Sequence, residues 1–350
     1  MCIAPPTTIA PGQPLFIRPV NGLGDKLLDV CGFALLCRLT GHAALVGWAG
    51  RRPAESVRWG GGVYTRTYDA ALVDLSALGV VAVAEPPPEA VELEVTARLG
   101  VAFSAPLLAA TLGVPAWELP HLVDAWTETA RRVRPGPLVQ AALPPGLAGC
   151  TGVHLRRSDK VRDPAKDAFD ARHEMTAAEC AATMRALMQQ VEGDLRWAAP
   201  YELLRFFVCS DEPDAKARFE AWLAERSRAL DRRCEFVEPL PPGQPAVPEG
   251  YSAAVDLFCL SRCRRIYQGS KHSSFSVAAG LIGGCELHNF AAADAKTLGS
   301  LWAPCSRPRV QADAEWLARV AVAQWGPCAF RVLNGDRARS TGSCTSSTKN

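Results

Sequence analysis

The chain has 350 residues, 48% of them apolar and 21% charged, with a formal net charge of +2. That composition describes a globular protein long enough for two domains, not a disordered chain, and the small net charge gives no general reason to expect nucleic acid or an anionic membrane as partner, so any affinity for anions must be local. No apolar run reaches the roughly 18 residues of a membrane span without a charge, Gly or Pro interrupting it.

The first residues, MCIAPPTTIAPGQP, lack a basic flank followed by an apolar stretch and are not expected to be a signal peptide. LFIRPV (Leu15–Val20) reads as a strand, NGLG (Asn21–Gly24) as a tight loop, and Asp25 to Leu39 as an almost wholly apolar helix closed by Gly41. AALVGW (Ala43–Trp48) is the next strand. Between Arg51 and Val101 only GVVAVAE has a clear strand pattern; His121–Val133 is helical in period. Pro135-Gly136-Pro137 and Pro144-Pro145-Gly146 break the pattern, and a domain hinge is expected there.

The second half restarts with the strand CTGVHLR. LLRFFVCSDEP is a strand and loop feeding a helix whose Ala215, Phe219, Trp222 and Leu223 share one face. CEFVEP, RRIYQGS and CELHNF are further strands. YSAAVDLFCLSRC, SSFSVAAGLIGG and a late DAEWLARVAVAQW are helices, and the polar tail after Asp336 is expected to be disordered. Alternating strands and helices on both sides of a Pro/Gly break predict an α/β fold of two Rossmann-like domains facing a central cleft: 1–143, 144–335 and a tail of 336–350.

Three strand tips carry the chemistry. In GVHLRRSDKVRD, alternation turns Val153 and Leu155 to one face and His154 and Arg156 to the other, with Arg157 just past the tip. A guanidinium at the carboxyl end of a parallel strand suits phosphate, which it can hold with two parallel hydrogen bonds. FFVCSDEP ends in Asp211. IYQGSKHSSFS ends a strand at Gly269 and opens a helix with Ser273 and Ser274, which fits either a phosphate at the helix N-terminus or an ordinary N-cap. Asp256 is the one charge in an otherwise apolar helix and needs a donor, from the protein or from a base such as guanine. Together these describe a nucleotide-diphosphate pocket. A dinucleotide fingerprint is disfavoured, because Leu27 stands at the third glycine position and AALVGWAG ends in no acid. The 13 cysteines form no CxxC pair and read mostly as small buried hydrophobes; no metal site is expected.

GLGDKLLD, GVHLRRSDK, FFVCSDEP and AAVDLFCLSRCRRIYQGSKHSSFS, in that order, resemble the fucosyltransferase superfamily, above all the α-1,6-fucosyltransferases and the rhizobial nodulation fucosyltransferase, with the protein O-fucosyltransferases further off. The resemblance implies a GT-B fold and an inverting, metal-independent transfer from GDP-fucose to a glycan or other hydroxyl acceptor, without cofactor or nucleic-acid partner. Carried over by position, Arg156 holds the departing β-phosphate, His154 lies beside the nucleoside, and Asp256 reads guanine. Asp211 is the acid of the second tip, Arg157, Ser273 and Ser274 are phosphate-side groups, and Gly22 and Gly24 form the glycine loop. The family's candidate base, a glutamate, is replaced here by Pro164, which leaves Asp163 and then Asp25 as the carboxylates to take the acceptor proton. Other donors, GDP-mannose or GDP-arabinose, and a non-catalytic glycan- or nucleotide-binding module are the alternatives. With neither leader nor membrane span, the cytoplasm is the expected compartment.

Overall fold

The computed structural model describes residues 12–19, 22–48, 70–95, 108–109, 112, 115, 118–157, 175–243, 246–270, 273–290 and 330–332. Asp163, Arg51, the expected helix over 313–325 and the tail 336–350 lie outside those residues.

Two parallel sheets organise the molecule. The first is built from β1 (Leu15–Ile17), β2 (Ala44–Val46), β4 (Val80–Ala82), β5 (Val91–Val95) and β12 (Phe330–Val332), in the order β12-β5-β1-β2-β4, with β12 alone antiparallel. The chain therefore returns to the first sheet after completing the second. β3 (Val73–Asp74) and β6 (Arg134–Pro135) make a small antiparallel pair. The second sheet has the order β11-β10-β7-β8-β9, all parallel, from β7 (Cys150–Leu155), β8 (Leu203–Ser210), β9 (Arg233–Phe236), β10 (Arg265–Gln268) and β11 (Glu286–Asn289).

From β7 the chain first steps outward on one side, to β8 and then β9, by way of α4 (Ala177–Trp197) and α5 (Pro213–Ala229). It then crosses back over the central strand through α6 (Tyr251–Ser261) to β10, and on through α7 (Ser274–Gly283) to β11. The two helix pairs cover opposite faces of the sheet. Val153, Leu155 and Tyr267 pack with Leu187, Val191, Leu195, Phe219 and Leu223 of α4 and α5, while Ile266 joins Leu257, Leu260 and Val277 of α6 and α7. β7 is buried along its whole length because both of its faces are covered, the usual state of a central parallel strand.

α1 (Leu23–Thr40) explains its own apolar sequence: it packs on both α7 and α2 (Leu119–Ala130), and one continuous apolar core runs from Leu15 to Cys285. Gly41, at φ 74°, ends it in the left-handed conformation that glycine adopts without strain.

Two expectations change. The Pro/Gly stretch, expected to be too broken for helix, contains α3 (Pro137–Ala142) with Pro137 in its first turn, where the missing N–H would have had no partner and φ is already set. Its Val139 and Ala142 lie in the common core. The glycine loop, read as a tight loop through Gly24, is already helix from Leu23 and brings two helices together: a Cβ on Gly24 would lie 2.4 Å from the backbone nitrogen of Phe275. α4, not among the expected elements, is fixed at its start by a capping box in which Thr176 and Glu179 satisfy each other's backbone N–H groups.

Candidate functional site

The order of the second sheet creates a switch point. β8 leaves β7 on one side and β10 flanks it on the other, so the carboxyl ends of β7 and β10 open a crevice, where sheets of this kind take their ligands. Residues 154–157 and 268–270 occupy that position.

His154 is 5% exposed, turned toward α7. Its Nδ1 lies 2.6 Å from Ser276 Oγ and its ring rests 5.0 Å from that of Phe275, centroid to centroid. The alternation read from sequence therefore holds, with Val153 and Leu155 facing the α4–α5 layer and His154 the other. Arg156 follows, half-buried, immediately beyond the strand. Arg157 is anchored by the neighbouring tip: its backbone N–H donates to Asp211 Oδ1 at 2.8 Å and its Nε lies 3.3 Å from Glu212 Oε2. Ser210 Oγ–H donates to Leu155 O at 2.7 Å, lacing β8 to β7 at the same level. Asp211, itself exposed, thus fixes the course of the chain leaving β7.

On the β10 side, Gln268 pairs in register with His154 and its Nε2 donates to Ser270 O at 2.9 Å. Gln268 Oε1, Ser270 Oγ and Ser273 Oγ are buried and have no partner among the described residues. Each such atom costs about 1–3 kcal/mol unless something else satisfies it. Ser273 occupies the N-cap position of α7 but makes no side-chain capping bond, so the capping explanation for that serine is not met. The first N–H groups of α7 are left with the positive end of the helix dipole.

The same holds for α1. Gly22 is its N-cap, again with no side-chain bond, and Asp25 sits half-buried in its first turn. Through Gly24 the start of α1 touches the backbone of Ser274 and Phe275. Two helix N-termini without side-chain caps are pressed together beside His154. Two positive dipole ends in contact favour an anion between or beside them. Lys26, fully buried one residue after Asp25, has its ammonium pushed down to about 8 by loss of water.

Asp256 lies half-buried on α6, the helix over β7 and β8. Burial pushes its carboxyl up to about 7; Lys216 on α5 pulls it down and Glu238 beyond β9 pushes it up. Of the residues expected from sequence, the fold gathers Gly22, Gly24, Asp25, His154, Arg156, Ser273 and Ser274 around the switch point. It places Arg157 and Asp211 at the adjoining tip and Asp256 on the β8 side. Asp163 lies outside the described residues. Gln268, Ser270, Phe275, Ser276 and Lys216 were not expected. Ser276 could have been found two residues past Ser274, one further step into the same helix turn.

A cleft of about 600 Å³ lies elsewhere, at the amino ends of the strands, lined by Pro144–Ala148, Ser261–Arg264 and Gly283–Cys285. None of the expected site residues that the structure describes lines it.

No protein-family model matches the sequence, and no curated protein matches it. Solved structures of similar chain path do exist. The NodZ α-1,6-fucosyltransferase of Bradyrhizobium, co-crystallised with GDP, is 14% identical, with a TM-score of 0.41 over 76% of this chain and 92% of that one. POFUT1 in complex with GDP is 13% identical, with a TM-score of 0.44 over 79% of this chain and 95% of that one. A point mutant of Arabidopsis thaliana FUT1, in complex with GDP, is 14% identical, with a TM-score of 0.44 over 79% of this chain and 69% of that one. Likeness at this level does not extend to a substrate.

Proposed function

We propose that this chain is a glycosyltransferase that binds GDP-fucose and transfers fucose to a hydroxyl acceptor with inversion and without a metal, on a GT-B-like frame of an acceptor-side half (1–143) and a GDP-side half (144–335). The observation that carries the reading is the junction of α1 and α7. There, two helix N-termini without side-chain caps meet, and Phe275 and Ser276 of α7 contact the buried His154, two residues before Arg156 at the end of β7. The ordered motifs GLGDK, HLRR, SDEP and DLFCLS supply the fucosyltransferase assignment.

In the reaction the acceptor oxygen attacks the anomeric carbon of fucose from the face opposite the diphosphate. The bond from that carbon to the β-phosphate oxygen breaks, and its electron pair leaves with GDP. Negative charge grows on the diphosphate as this happens. Arg156 and the N–H groups that open α7 are the groups that receive it, and preorganised donors of this kind lower the barrier without reorganisation. The acceptor's proton goes to a carboxylate, Asp163 first and Asp25 second. His154, held by Ser276 and with its ring tilted against that of Phe275, lines the nucleoside side.

The test is GDP release from a panel of GDP-sugars with an acceptor array, read by mass spectrometry. GDP-fucose is expected to be the donor turned over, and Arg156→Ala is expected to lower turnover by about 100- to 1000-fold. A protein that does not bind GDP in calorimetry, or an Arg156→Ala variant as active as the parent, would overturn the reading.

A further inference from the structure

From the last residue of α4 the chain runs Trp197-Ala198-Ala199-Pro200-Tyr201 before Glu202 and the start of β8. Trp197 is 90% exposed and Tyr201 91%, the most exposed of the large apolar side chains among the described residues. Aromatic rings of this size gain most from leaving water, and folded chains usually cover them. Here two stand open at either end of one short apolar loop.

The backbone of that loop makes its own hydrogen bonds. The N–H of Ala198 donates to Asp194 O at 3.0 Å, that of Ala199 to Glu202 Oε2 at 3.2 Å, and that of Glu202 to Ala199 O at 3.0 Å. Pro200 has no N–H to satisfy. A loop so bonded loses little when water is removed from around it, which is what entry into a lipid interface demands.

Arginines rim the loop. Arg232 Nε donates to Leu195 O at 3.0 Å, on the last turn of α4, and Arg233 pairs in register with Leu203, two residues after Tyr201. Arg233 is exposed, as is Arg228 in the last turn of α5. Arg196 and Arg226 share the single carboxylate of Glu192, each at 2.6 Å. The other acids on this edge are Asp231 and Glu202, and the latter already accepts from Ala199. The edge is therefore locally cationic on a chain whose net charge is only +2.

We propose that this edge of the second sheet docks on an anionic lipid surface, with Trp197 and Tyr201 seated at headgroup level and the arginines on the lipid phosphates and carboxylates. Tryptophan and tyrosine favour that depth because each has an apolar body and a polar handle, and nearby arginines add attraction to anionic lipid. A sugar platform fits less well, since Ala198, Ala199 and Pro200 offer no side-chain donor or acceptor for hydroxyl groups. The loop enters β8 at its amino end, whereas the candidate site lies at the carboxyl ends of the strands, so docking leaves that crevice uncovered. The proposal stands whatever the crevice binds.

The experiment is co-sedimentation of the full chain with phosphatidylcholine vesicles, with and without phosphatidylserine, at low and high salt. Binding is expected only with phosphatidylserine and should weaken as salt is added. Trp197→Ser with Tyr201→Ser should lower affinity at least about tenfold, and Arg228→Gln with Arg233→Gln about fivefold for each arginine lost. Both pairs are exposed, so an unchanged thermal melt confirms folding. Lipids brominated near the headgroup should quench tryptophan fluorescence in the parent, and Trp197→Tyr should abolish that quenching while keeping vesicle binding. No binding to phosphatidylserine vesicles, equal binding without that lipid, or quenching that survives Trp197→Tyr overturns the proposal. So does a dimer in sedimentation, or capture on a glycan array, that the Trp197→Ser, Tyr201→Ser protein loses while vesicle binding is absent; the loop would then serve a second copy or a sugar.

Discussion

The contact between α1 and α7 can be tested with one methyl group. In Gly24→Ala the new Cβ would lie 2.4 Å from Phe275 N, 2.5 Å from Ser274 C and 2.6 Å from Phe275 Cα. Ordinary contact starts near 3.4 Å, so the two helix starts must part by about 1 Å (3.4 − 2.4). All three atoms are backbone, so no side chain can swing aside to relieve the clash. Overpacking of this kind costs about 1–3 kcal/mol. The functional effect is larger, because α7 carries Ser273 and Ser274 and its N-terminus is the proposed diphosphate cradle. A displacement of that size at a reacting group lowers turnover by roughly 100-fold. Urea unfolding and GDP release, run side by side, measure the two effects. Gly22→Ala is the control: it meets nothing within 4 Å and should lose less than about 1 kcal/mol. A Gly24→Ala protein with wild-type midpoint and wild-type turnover would show that the two helix N-termini are not in contact, and the anion site argued from them would fall.

Two further outcomes follow from the same coordinates. Ser276→Ala leaves Nδ1 of the buried His154 without its 2.6 Å partner and should destabilise the protein by about 1–3 kcal/mol in a denaturant melt; an unchanged midpoint would show that the histidine is held otherwise. Burial pushes the thiols of Cys31, Cys37 and Cys259 up to about 12 and that of Cys285 up to about 11, so they remain protonated and slow to alkylate. Of the nine described free cysteines, half-buried Cys234 should label first in the native protein, and peptide mapping that finds Cys31 or Cys259 labelled as fast would contradict this placement.

Much of the second sheet was legible because its signals are local. Strand β7 showed its two faces through the alternation of Val153 and Leu155 with His154 and Arg156, and the structure turns them to opposite layers. α1 announced its burial by having almost no polar face. α4 carried readable signals too, the Thr176–Glu179 capping box and apolar positions at Leu187, Val191 and Leu195, each four residues apart. β5 and β12 are different. Their pairing joins Val95 to Phe330, and no local pattern specifies so distant a partner.

The sequence by itself determined which residues carry charge and hydroxyls at strand ends, since strand and helix periods depend on neighbours a few positions away. Tertiary structure alone decided that β10 lies beside β7, that Gly24 abuts Phe275, and that His154 meets Ser276. Those relations join segments far apart in the chain. They are fixed by how helices and sheets fill a shared core, which no short window of sequence encodes.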